Sequence, residues 1–242
     1  MKYAICLVLL LPICAAAQAP TPAVPVKPWT GNFGGGFALT DGNSDTTNLN
    51  LTFLVTHDPK TRNVFKWNGL FLRGDKDDED IIDRGATTLR DEYTITKRLF
   101  AYGQVGYLRD KFKDIMFLWA PNAGVGYKLV DRDTLVLSLD NGLGGVWERN
   151  HGRPTRGSGA YNAAERLTWK ISNTATINES VSGLWKINEF SDALYIVTFG
   201  VTSSLTQHLE LKFDFNELYK TRPVPTLKKS DLALITAVVV KF

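Results

Sequence analysis

The sequence predicts an all-β fold, a single antiparallel transmembrane β-barrel of about 12 strands with short periplasmic turns and longer extracellular loops. Three observations predict it. From Trp29 to Phe242, segment after segment alternates apolar with polar or small residues at period two, the pattern of a strand with one greasy face. The segments run to about ten residues, the length that crosses a bilayer when tilted, where strands of soluble domains cluster near five or six. The connections alternate short with long, as in outer-membrane barrels.

Before the strands, residues 1–17 combine one cation, Lys2, with an apolar run from Tyr3 to Ile13 and the small residues Ala15-Ala16-Ala17. That order predicts a cleaved signal peptide, too short in its apolar run to span a membrane as a helix. Cys14 invites a lipoprotein reading, which Ile13 disfavours, since a small residue is needed there. Residues 18–28, QAPTPAVPVKP, form a Pro- and Ala-rich periplasmic spacer. The barrel occupies 29–242.

The first strand, 31–40, is rich in glycine, which suits close packing and bending in a barrel wall. Asp41-Gly42-Asn43 supplies its turn. The second, 46–56, sets Leu49, Leu51 and Phe53 against Asn48, Asn50 and Thr52. The third, 63–74, and fourth, 86–96, place Lys66 and Asn68, then Arg90, Glu92 and Thr94, on the polar face. Strands at 99–110, 118–130 and 134–148 follow, with Asp140 on the polar face of the last. The strand at 160–171 contributes Arg166, Thr168 and Lys170, and that at 175–185 contributes Asn178. After 193–204, the strand at 209–219 alternates Leu209, Leu211, Phe213 and Phe215 with Glu210, Lys212 and Asp214. The strand at 231–242 closes the chain. Outer loops are expected at 75–85, 111–117, 149–159, 186–192 and 220–230. Inner turns are expected at 97–98, 131–133, 172–174 and 205–208, with a longer one at 57–62.

Aromatic residues gather near both predicted membrane surfaces. Phe65, Trp67, Phe100, Tyr102, Tyr127 and Trp169 fall at the periplasmic side, and Phe71, Tyr107, Trp119, Trp147, Tyr161, Trp185, Tyr195 and Tyr219 at the outer side. Asp91, Glu165 and Glu179 share the parity of the apolar rows. A β-bulge would turn them inward, and a protein contact would also account for them.

The chain ends Thr236-Ala237-Val238-Val239-Val240-Lys241-Phe242. With Val238 and Val240 toward lipid and a terminal Phe242, this resembles the assembly signal that outer-membrane barrels present to the barrel assembly machinery. The opening stretch Trp29 to Asp45, with its Gly-Asn-Ser turn and following Thr46-Thr47-Asn48-Leu49, resembles the first hairpin of the YdiY-like family of salt-induced outer-membrane proteins. The resemblance runs from Gly31 to Phe242. It implies the cell outer membrane as location and the barrel as fold, and it carries no activity or functional residues.

Composition excludes several chemistries. Both cysteines, Cys6 and Cys14, lie in the signal, so the mature chain has neither disulfides nor Cys-bound metal. A formal net charge of +3 over 242 residues, with cations scattered, argues against nucleic acid as a partner. The expected partners are outer-membrane lipids and lipopolysaccharide, and no cofactor is expected. The acidic run Asp75 to Asp80 lacks calcium-hand spacing and reads as a solvated face.

The candidate site is the lumen, with Lys66, Arg90, Glu92, Asp140, Arg166, Lys170, Lys212 and Asp214 as a polar network. It is either a solute path or a self-satisfied interior that keeps a narrow barrel nearly closed. No catalytic or metal residues are assigned, because His57, His151 and His208 fall in turns or a loop, away from any nucleophile. The expected role is structural, envelope-related or narrow small-solute passage. The alternatives are an outer-membrane enzyme acting on lipid or peptide, and a soluble periplasmic β-sandwich binding module.

Overall fold

A computed structural model describes residues 28–41, 46–76 and 79–242. The expected signal and residues 18–27 of the spacer lie outside the described residues, as do 42–45 of the first outer turn and 77–78 of the acidic run.

Twelve strands form one closed sheet. They are β1 (Trp29–Asp41), β2 (Thr46–His57), β3 (Asn63–Lys76), β4 (Glu79–Thr94), β5 (Leu99–Asp110), β6 (Ile115–Asp131), β7 (Leu135–Asn150), β8 (Arg156–Lys170), β9 (Ala175–Lys186), β10 (Glu189–Ser204), β11 (Leu209–Lys220) and β12 (Ser230–Lys241). Each pairs antiparallel with its neighbours in the chain. β1 closes on β12 in an unbroken register from Asn32↔Lys241 to Asp41↔Leu232. A single closed sheet leaves no unpaired edge and excludes the two packed sheets of a β-sandwich.

The closing seam depends on small residues. A Cβ at Gly36 would collide with the backbone of Thr236 and Ala237. β1 and β12 therefore approach as closely as they do only because glycine stands there. At the seam's end, Gly31 and Phe242 exchange two backbone hydrogen bonds of 3.2 and 3.0 Å. The Phe242 ring lies where a side chain on Gly31 would be.

One end of the barrel carries both ends of the sheet and the turns 58–62, 95–98, 132–134, 171–174 and 205–208, and is called the turn end. The other, the loop end, carries 111–114, 151–155, 187–188 and 221–229. Here the strands run further than hydrophobic alternation predicts. Most of the expected loop 75–85 is strand, because β3 continues to Lys76 and β4 begins at Glu79. Likewise β6 begins at Ile115 inside the expected loop 111–117, β8 at Arg156 inside 149–159, and β10 at Glu189 inside 186–192. The extensions are held by backbone bonds and by ion pairs between neighbouring strands, Arg84 with Asp110 and Arg109 with Asp83. Such pairs support a strand without an apolar row.

The outward rows are apolar and exposed: Phe37 is 68% and Leu143 63% exposed. A soluble protein buries such a surface, whereas a bilayer solvates it. Val238 and Val240 belong to this wall. So do Phe65, Trp67, Tyr127, Trp169, Phe71, Tyr107, Trp119 and Trp147, in two belts, with Tyr107 edge-on to Trp119 at 5.3 Å. Phe100 and Tyr102 do not: they point inward and are buried. Glycines on the next strands make the room, since a Cβ at Gly126 would meet the Phe100 ring and one at Gly142 the Tyr102 hydroxyl.

Asp91, Glu165 and Glu179 stay on the outer wall. The register around each is regular, and the bulges lie elsewhere, at Gly74/Asp75, Leu108/Asp110, Ile115/Phe117, Lys128/Val130 and Glu189/Ala193. Each acid sits three to five residues from the turn end of its strand. Asp91 there accepts a 3.0 Å hydrogen bond from Asn63.

Candidate functional site

Because side chains alternate across a strand, the inward rows meet inside the barrel. They divide into two halves. Toward the turn end they are polar and partly open, with Asn68, Thr168, Lys170 and Asn178 exposed. Toward the loop end they are buried, an apolar layer followed by charged residues.

The polar half is organised by Arg90. Its Nε donates to Glu92 at 2.7 Å, its Nη1 to Gln104 at 2.7 Å and its Nη2 to Asp140 at 2.6 Å. Its guanidinium lies 3.8 Å from the centre of the Tyr102 ring, so one cation serves three hydrogen bonds and an aromatic face. Lys66 joins through Glu92 at 2.7 Å, and Arg166 joins through Asp140. Five of the eight candidate residues thus form one network. Lys212 and Asp214 form a separate pair at 2.6 Å. Lys170 makes no ion pair among the described residues and stands exposed at the mouth.

The loop-end half is filled. Leu108, Ile115, Leu118, Ala120, Val146, Ala160, Leu194 and Leu218 form one buried cluster, with Val146 and Ala160 at 0% exposure. Ala38, Leu72, Ala233 and Ile235 form a second, and Phe112 packs into it. Phe112 belongs to a 3-10 turn, Lys111–Lys113, that the β5–β6 connection folds into the mouth. Asp110 caps that turn, its Oδ1 accepting from the amides of Phe112 and Lys113.

Ion pairs crossing the interior lock this half. Glu148 on β7 accepts from Lys186 at 2.8 Å and pairs with Lys220 on β11. Lys113 is fully buried, yet its ammonium reaches Asp231 at 2.8 Å and the carbonyls of Lys228 and Lys229 at 2.9 and 2.7 Å. Burial pushes the Lys113 ammonium below the ordinary lysine range, against the upward pull of Asp231. Arg84 pairs with Asp110 at 2.7 Å and comes within 4.0 Å of Asp231.

The family model described as "Protein of unknown function, DUF481" matches residues 34–242. The chain belongs to this family. No curated protein matches it. Among solved structures, this DUF481 barrel is similar to the NanC porin, with a TM-score of 0.58 at 8% identity, covering 87% of this chain and 98% of that one. Weaker likenesses are to the KdgM porin, TM-score 0.48 at 8% identity over 88% and 98%, and to the outer-membrane channel DcaP of Acinetobacter baumannii, TM-score 0.43 at 8% identity over 88% and 95%. At such identity the likeness to the NanC porin establishes the fold alone, that of an outer-membrane barrel.

Of the histidines, His57 packs against Trp29 with ring centroids 4.4 Å apart and the rings tilted by 42°, and His151 and His208 lie in the connections. Among the described residues of this DUF481 chain, no three His, Cys, Asp or Glu side chains are grouped to hold a metal. The residues that sequence reasoning missed are those of the closed half: Arg84, Asp110, Lys113, Glu148, Lys186, Lys220 and Asp231. Most fell in or beside segments expected to be loops. The available signal was parity, since Arg84 continues the inward row Ala86, Thr88, Arg90, and Lys220 continues Asp214, Asn216, Leu218.

Proposed function

We propose that this chain is an integral outer-membrane barrel, a YdiY-like protein in the finer sense of the resemblance, with its turn end in the periplasm. Its lumen is a vestibule open to the periplasm and shut toward the outside. The resting protein is an envelope barrel that passes at most small solutes, and only when the loop-end closure gives way. The observation carrying this reading is the pair of contacts across the interior, Glu148–Lys220 and Arg84–Asp231, each joining strands with three others between them around the wall. An aqueous pore of any width would hold these side chains apart.

The apolar outer belts support the membrane location, and the seam at Phe242 supports insertion by the barrel assembly machinery. Two measurements test the proposal together. The protein should fractionate with the outer membrane and change mobility on heating, and vesicles containing it should swell in small sugars no faster than empty ones. Recovery in the soluble periplasmic fraction would contradict the location, and rapid swelling would contradict the closure.

A further inference from the structure

On three strands of the outer wall, an aromatic residue is followed two positions on, toward the loop end, by an arginine: Phe71 and Arg73 on β3, Tyr107 and Arg109 on β5, Trp147 and Arg149 on β7. The residue between them points inward in each case, since Leu72, Leu108 and Glu148 are all buried, so both members of each pair face out. Tyr107, Trp119 and Trp147 lie on one row of the ladder, and Arg109, Phe117 and Arg149 continue the wall just beyond it. The three arginines are exposed, as is Lys111 in the adjoining turn.

Two residues along a strand is about 7 Å. The guanidinium groups therefore stand one headgroup layer beyond the aromatic belt, where lipid phosphates lie. Asp83 lies 2.6 Å from Arg109 and 4.0 Å from Lys111, and because Asp75, Glu79 and Asp80 end β3 and begin β4, the cationic part of the arc is the wall of β5 to β7. Arg149 has no ion pair among the described residues. The far side of the barrel lacks the pattern: beyond Trp185 on β9 the next outward residue is Ile187, and beyond Tyr219 on β11 it is Thr221. Arginines on the outer wall at one depth, directly above a continuous aromatic row, match a ligand that brings anionic groups on an acyl-chain anchor.

We infer that the β5–β7 face of the loop end binds the phosphorylated headgroup of lipopolysaccharide, with Arg109 and Arg149 contacting phosphate and Tyr107, Trp119 and Trp147 covering the first part of the acyl chains. This rests on the proposed orientation, loop end outward, but not on the closure of the lumen. A closed and an open barrel would bind alike, so binding and swelling measurements fail independently.

The test uses the full barrel refolded in detergent, titrated with diphosphorylated lipid A and followed by tryptophan fluorescence. Saturable binding is expected that weakens at least tenfold with dephosphorylated lipid A, and weakens again as salt rises. Arg109→Gln with Arg149→Gln should reduce affinity by a similar factor while the heat-dependent gel shift is retained. Arg132→Gln, at the turn end, should leave it unchanged. Equal binding of the dephosphorylated lipid, which needs no variant, would overturn the inference. So would phosphatidylglycerol binding as tightly as lipid A, or a folded double variant with undiminished affinity.

Discussion

Glu148 and Lys220 form an ion pair through the interior of the barrel, although β8, β9 and β10 separate their strands around the wall. Both are buried, and Glu148 also holds Lys186. Truncating the shared carboxylate strands two ammonium groups, of which only Lys186 keeps another partner, Asp192. Loss of one partner of a buried pair costs about 3 to 5 kcal/mol. Glu148→Ala should therefore lower the unfolding midpoint in urea with detergent, and the apolar layer beneath should loosen with it.

Glu92→Ala in the vestibule should cost less. Glu92 links Lys66 to Arg90, but Lys66 is 42% exposed, so water takes over part of what the carboxylate supplied. Arg90 also keeps Gln104 and Asp140. A loss of about 1 kcal/mol is expected, near the upper range for solvent-exposed pairs. Parallel urea titrations should rank Glu148→Ala as clearly the more damaging. The reverse order would place the structural weight in the vestibule.

Lys113 and the lysines of the β11–β12 loop offer a contrast in access. All belong to loop-end connections, yet Lys113 is fully buried while Lys228 and Lys229 are exposed. Trypsin applied to intact cells should cut at 228–229 and spare 113. Lys113→Ala, by releasing the β11–β12 loop, should speed that cleavage. Cutting only after the outer membrane is permeabilised would invert the proposed topology.

The seam gives a prediction about biogenesis. The Phe242 backbone pairs with Gly31, and its ring covers the face where Gly31 has no side chain. Deleting Phe242 removes the last rung between β1 and the end of the chain. Its level in the outer membrane should fall sharply, with the balance degraded or left in the periplasm. Gly31→Leu should show the milder version of the same defect, since the ring is displaced but the backbone rung is still possible. Normal membrane levels of the deletion would remove Phe242 from assembly.

The wall of this barrel was legible in the sequence because lipid outside and polarity inside impose a period of two. Asn48-Leu49-Asn50-Leu51 and Glu210-Leu211-Lys212-Phe213 could be assigned to faces on that basis. The filling of the loop-end half was not. In Leu70-Phe71-Leu72 both parities are apolar, so the alternation that separates lipid from lumen vanishes where the lumen itself is apolar. The strand extensions were hidden for the converse reason: both faces of Asp83-Arg84 are charged, and charge reads as loop. Contacts such as Lys113 with Asp231 join residues far apart in the chain, and only the closed topology brings them together. In the vestibule, parity puts Lys66, Arg90, Glu92, Asp140 and Arg166 on the inward face, where they share hydrogen bonds. It could not tell that Lys212 and Asp214 pair with each other, or that Lys170 stands apart.

The central claim is that the resting lumen is shut at its loop end by side chains of the barrel itself. Single-channel recording of the refolded protein in a planar bilayer tests it most directly. The wild-type protein should insert and give no steady current, and Glu148→Ala or Lys113→Ala should open discrete steps under the same voltage. A large, steady wild-type conductance that neither substitution changes would contradict the account.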